Sequence, residues 1–236
     1  MIITNHCFWE HNADDTLLWS VTFPGAYARG KNLDEAIKKM PDDIKSRCEW
    51  LKEECIPTET VVSEEKASSL DIRDADSDCI FKSESQPMSM EEYIYLRDLA
   101  LASAKNFLSL YESVPDKNVS ALSERKTFYG SVPVTAEQMY QHTKNVNSYY
   151  FSEIGVEADN DGNIYECRLR GFRALESMPD FLENKLYQGS YDEMWSLRKV
   201  LRRFIWHDRI HAKAMYRGAA AIFGKENICD SFFFGE

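Results

Sequence analysis

The chain has 236 residues, 44% of them hydrophobic and 13% aromatic, and a formal net charge of -11. That length holds one large domain or two small ones, with enough apolar side chain to build a core. The acidic balance excludes a general nucleic-acid binder, which needs a basic footprint, and disfavours an anionic membrane surface.

No apolar run approaches the ~20 residues that span a bilayer. The start, MIITNHCFWEHNADD, lacks the basic and apolar regions of a signal peptide. The six cysteines are irregularly spaced with no C-x-x-C pair, which points to free thiols in a reducing cytoplasm.

Residues 1–62 read as a small α+β unit. HCFWE and TLLWSVTF are strand-like around the turn-like HNADD, and AYAR is a third strand ending at Gly30. Asn32 then caps a helix, with Glu35 three residues on. Leu33, Ala36, Ile37, Met40, Ile44, Cys48 and Leu51 form its buried stripe, with Pro41 as a kink. Thr58–Val62 returns as a fourth strand. Gly25 and Gly30 serve positive φ or close backbone approach.

Residues 63–88 are polar and acidic and read as a linker, with CIFK as a short strand. Asp71, Asp74, Asp76 and Asp78 do not make an EF-hand. Counted from Asp74, the required Gly and Glu positions hold Cys79 and Ser85.

Residues 89–236 contain four helical segments. The first spans Ser89–Val114, opened by Ser89 and Glu92. After a long crossover, the second spans Thr135–Ile154, with a capping box at Thr135 and Gln138. The third spans Asn163–Met178. The last spans Ser190–Gly224, with Ser190 and Glu193 as its capping box and Trp195, Phe204, Met215 and Ile222 on its apolar face. Four amphipathic helices with a long crossover predict a four-helix bundle, whose sites are built from side chains on facing helices.

His207 and His211 stand four residues apart on the last segment, so both imidazoles project from one side of a helix. His142, on the second segment, is the candidate third ligand. The three read either as ligands of one divalent ion or as core histidines bonded to neighbours. Three protein ligands leave a position for water or substrate, which leans towards catalysis. Zinc and nickel both suit three nitrogens. Arg202 and Arg203, one turn before the pair, read either as part of a solvated basic face or as lining the site's mouth for an anionic substrate. Asp208 lies about 100° off the histidine face and reads as a salt-bridge partner.

Two resemblances attach to these motifs. WHDRIHAKAMYRGAAAIFG on the last helix, His142 on the second and the aromatic tail Ile228–Phe234 make residues 88–236 similar to the DinB-like superfamily. The resemblance implies a four-helix bundle in which His142, His207 and His211 bind a divalent metal. It also implies chemistry such as thiol-dependent transfer or isomerisation of a small molecule. F-P-G-A-Y-A-x-G-x-x-L-D-E-A, at Phe23, Pro24, Gly25, Gly30, Leu33, Glu35 and Ala36, resembles the HicB-like antitoxin domain. Here a helical region follows instead of a DNA-binding segment.

Two functions therefore compete. One is a cytoplasmic metal-dependent transferase or hydrolase that activates a thiol or water for a small-molecule substrate. The other is a non-catalytic metal-binding or protein-interaction protein, whose first unit docks a partner or a second copy. Neither involves nucleic acid or membrane.

Overall fold

In a computed structural model, residues 2–12, 15–56, 58–68, 79–127 and 130–235 are described. The chain divides into two compact units. One is Met1–Lys82 with Thr127–Gly130 and Phe232–Glu236, the other Ser83–Lys126 with Ser131–Ser231. Among the described residues no helix is long and apolar enough to cross a membrane.

The first unit follows the expected order of three strands, a helix and a strand. Strands β1 (Ile3–Asn12), β2 (Asp15–Ser20), β3 (Tyr27–Gly30) and β4 (Thr58–Ala67) form a sheet in the order β3-β2-β1-β4. β1 pairs antiparallel with β2 and parallel with β4. Helix α1 (Leu33–Leu51) starts at Asn32, whose side chain accepts from the Glu35 amide. It runs unbroken through Pro41 and ends at Lys52 in a left-handed conformation. Cys55 therefore lies beyond the helix rather than on it.

Ala36, Met40, Ile44 and Cys48 of α1 pack against Cys7, Leu18, Ala26 and Ala28 of the sheet and its β2–β3 connection, as the sequence stripe requires. The glycines have the roles expected of them. Gly25 takes φ 96°, and a Cβ on Gly30 would stand 2.9 Å from the Ala36 amide nitrogen. Phe232 also belongs to this unit. Its ring centroid lies 5.0 Å from that of Trp50, and its carbonyl accepts from Ser46.

The stretch after Val62 departs from a plain linker. β4 continues through Ala67 because β1 offers backbone partners as far as His11. Cys79–Phe81 is not a strand; Phe81 is buried and stacks on Phe8 at 4.2 Å. Asp71, Asp74, Asp76 and Asp78 lie outside the described residues.

The second unit holds α2 (Met90–Ser113), α3 (Ala136–Ser152), α4 (Ile164–Glu176) and α5 (Leu197–Phe223). Ser89, Thr135 and Asn163 cap the first three, and the last two caps are complete capping boxes. α2 and α3 each pack against both α4 and α5. Tyr140 ties α3 to the start of α4, its hydroxyl accepting from the Ile164 amide at 3.2 Å. The ring of Phe151 fills the place a Cβ on Gly171 would take, which sets the close approach of α3 and α4.

The last helix begins six residues later than its sequence suggests. Ser190–Asp192 is a tight turn in which Tyr191 and Asp192 have positive φ. Met194–Trp195 pairs with Tyr187–Gln188 in a two-residue ladder. Trp195 is thereby buried, with ring centroids 5.9 Å from Tyr149 and 5.4 Å from Tyr150. Ser196 is the true cap, its hydroxyl accepting from the Lys199 amide at 3.2 Å. Glu193 does not cap a helix. It is buried and paired with Lys199. Gly224 ends the helix as expected, but Ile222 is exposed rather than on the buried face.

Replacing Ser196 with Ala should therefore cost about 1 kcal/mol, the usual value of an N-cap hydroxyl. Ser190→Ala should cost little, and chemical denaturation of the two variants measures the difference. Cys7, Cys48, Cys79 and Cys167 are buried, whereas Cys55 and Cys229 are exposed. Burial pushes the Cys7 thiol up to about 12. Mass spectrometry after brief alkylation of native protein at pH 8 should find Cys55 and Cys229 modified and the other four protected.

Candidate metal centre

α3 and α5 supply the three histidines. The complete capping box at Thr135 sets the register of α3 and places His142 at the end of its second turn. The 27 residues of α5 carry His207 and His211 near its middle, clear of fraying ends. The Nε2 atoms of His142 and His207 face each other at 3.2 Å. The ring centroid of His211 lies 4.8 Å from that of His142 and 4.5 Å from that of His207. One ligating nitrogen from each of the three lies within 4.8 Å of the others.

This donor set fits a divalent ion. Two nitrogens 3.2 Å apart, each about 2.0–2.1 Å from a shared zinc, subtend about 100° there, close to tetrahedral. The widest pair, at up to 4.8 Å, needs an inward adjustment of roughly 1.5 Å to reach tetrahedral spacing. His211 is half-buried and His142 exposed, so their rings have room to move. His207 is buried and fixed, and its Nδ1 has no hydrogen-bond partner among the described residues.

Electrostatics favour the ligating form. Burial is the largest influence holding His207 well below the usual imidazole range, followed by the imidazoles of His211 and His142 and the guanidinium groups of Arg203 and Arg168. A neutral imidazole keeps the lone pair that a metal needs. The cluster reaches the surface at His142.

Arg198, Arg202 and Arg203 of α5 are held by partners inside the unit rather than lying on a solvated face. Arg202 forks onto the buried Glu84, with Nη2 3.1 Å from Oε2. Arg203 is buried, donates to the Tyr150 hydroxyl at 3.2 Å and lies 3.5 Å from Glu193. Arg198 pairs with Glu92 at 2.8 Å and donates to three carbonyls of residues 83–87. Asp208 is a salt-bridge partner, as its angular offset implies, and meets Arg168 of α4. Glu84 and Arg168 had no sequence signal as partners of this helix, because each acts only once the chain has folded back on itself.

One helical turn from the histidines the surroundings become apolar. Met139 of α3 and Ala214, Met215 and Gly218 of α5 line a narrow cleft beneath Leu122 and Val134 of the crossover.

No family model, no curated protein and no solved structure matches this chain. The site is accordingly read from its own geometry.

The different burial of the ligands separates two effects of mutation. His142→Ala should sharply weaken zinc binding while leaving the metal-free melting temperature almost unchanged, since that side chain is exposed. His207→Ala should weaken zinc binding and also destabilise the metal-free protein by roughly 2–4 kcal/mol, the range for emptying a buried site. Zinc titration alongside thermal melts of both variants checks the contrast.

Proposed function

We propose that this chain is a metal-dependent enzyme of the DinB-like kind, acting on a small molecule in the cytoplasm, with His142, His207 and His211 as its metal ligands. The observation that carries the reading is the convergence of three imidazoles from two helices to within 4.8 Å, with one of them exposed. The placement of one histidine on the second helix of the unit and an H-x3-H pair on the last supports the DinB-like resemblance and a four-helix-bundle description. Zinc and nickel are the preferred ions.

A divalent ion held there supplies a Lewis acid that lowers the pKa of a thiol or water. The chain's own residues do the rest. His207 presents a neutral nitrogen from the core. His211 and His142 complete a three-nitrogen set open towards solvent, which is the pattern of catalytic rather than closed structural sites. Met139 and Met215, one turn from the histidines, are buried and close the apolar side of the site. Arg202 and Arg203 are engaged by Glu84 and Glu193, so a role in recruiting an anionic substrate requires either to exchange partners.

We read residues 1–62 as HicB-like from their element order and the two glycines. Their role as a docking module for protein is part of the same proposal. Neither unit is assigned to nucleic acid or membrane. Cysteines that are all free accord with the cytoplasmic reading.

Protein purified without a nickel column should carry about one divalent ion per chain. His211→Ala should lose both the ion and turnover of a thiol with an electrophilic acceptor, while keeping its helical circular dichroism, because alanine suits a helix interior. Acidification should release metal and abolish turnover together, and because His207 protonates only well below the usual imidazole range the loss should come below about pH 6.5. Equal rates for wild type and His211→Ala across thiol, ester and amide substrates would instead favour a non-catalytic binding protein.

A further inference from the structure

Asp208, Arg168 and Ser103 form a buried polar cluster beside the metal centre. The three residues come from α5, α4 and α2, and none exposes any surface. Arg168 grips Asp208 with both terminal nitrogens, Nη2 at 3.1 Å from Oδ1 and Nη1 closer to Oδ2. The Ser103 hydroxyl donates to the same carboxylate. Nη1 also approaches the Ala100 carbonyl at 3.4 Å, and the guanidinium lies 4.1 Å from the centroid of the Phe204 ring.

Such a cluster is a poor device for stability alone. Desolvating a carboxylate and a guanidinium costs several kcal/mol each, and well-packed apolar residues often do as well or better. What a fork-to-fork pair adds is direction, since two parallel hydrogen bonds admit one geometry. Apolar contacts between helices tolerate small rotations and slides.

The neighbouring residue is His207. Residues 207 and 208 are adjacent on α5 and point about 100° apart. His207 faces His142 of α3, and Asp208 faces α2 and α4. A rotation of α5 by about 5° would move an atom 5–6 Å from its axis by about 0.5 Å. His142 and His211 can take up such a shift by ring rotation, but His207 is buried and its nitrogen follows the helix.

Resting on the three-histidine metal site proposed above, we infer that the Arg168–Asp208–Ser103 cluster is its positioning device. It locks the rotation of α5 so that His207 and His211 meet His142. The three are positioning residues and do not touch the ion.

The test replaces both charges together, as Arg168→Met with Asp208→Leu, which leaves no orphaned buried charge. Two readouts are taken from this variant and from wild type. One is zinc affinity by competition with a chromophoric chelator. The other is the set of imidazole Hε1 resonances of His142, His207 and His211 in metal-free protein. The double variant should unfold at the same or higher denaturant concentration than wild type yet bind zinc at least about tenfold more weakly, a change of about 1.4 kcal/mol or more. Its imidazole resonances should shift or split. Arg168→Met alone should unfold at clearly lower denaturant, since it strands Asp208.

A folded double variant with wild-type zinc affinity and unchanged imidazole resonances would overturn the inference. If wild type binds no divalent ion, the metal-site proposal fails by itself. The resonances then still decide whether the cluster positions the histidines.

Discussion

The helical unit is built around charges that have no route to water. Asp208, Arg168, Lys199, Arg203 and Arg209 are all buried, and four of them sit on the single helix α5. Each must find a partner inside, because an isolated buried charge costs far more than the fold can offset. Glu193 meets both Lys199 and Arg203, and Arg168 meets Asp208. Burial is the largest influence drawing the Lys199 ammonium down to about 8, with Arg203 next, while the Glu193 carboxylate works the other way. These pairs are directional, so they limit the ways α5 can sit among α2, α3 and α4.

The first unit also buries charged groups, with Arg47 paired to Glu53 and Asp43 accepting from the Tyr27 amide, but it adds a separate apolar cluster. Cys7, Cys48, Met40 and Ile44 pack in that cluster between one helix and one face of the sheet, while Asn5, Glu10, Asp43 and Arg47 are buried in the same unit. Shape and the hydrophobic effect do the work in the cluster, and backbone pairing of β1 with β2 and β4 supplies the direction. The chain's ligand-bearing cluster among the described residues lies in the other unit, where buried polar groups hold side chains to one geometry.

The three histidines differ in exposure, and that grading shapes what the site can do. His207 is anchored in the core, His211 is half-buried and His142 faces solvent. The surroundings of the most buried histidine, His207, favour its neutral form. The most exposed one leaves the site reachable. A closed structural site would bury every donor and supply a fourth. The adjoining apolar cleft continues along the same faces of α3 and α5.

Much of this was legible in the chain because it is local. Asn32, Ser89, Thr135, Asn163 and Gly224 mark helix ends through bonds that span three or four residues. The stripe of α1 and the spacing of His207 and His211 follow from helix geometry alone. His142 was legible as a candidate, but its meeting with the other two depends on how α3 packs against α5. The local reading failed where a distant partner outweighed it. Ser190 and Glu193 have the pattern of a capping box, yet burying Trp195 and pairing Glu193 with Lys199 and Arg203 delay the helix to Ser196. β4 outlasts its apolar residues because β1 supplies hydrogen bonds to backbone, whatever the side chains. Arg168 and Asp208 lie 40 residues apart, and Glu84 and Arg202 118 apart. No periodicity carries such pairings. They exist only where the folded chain brings two charges into a space that excludes water, and there the energy of an unpaired charge decides the partner.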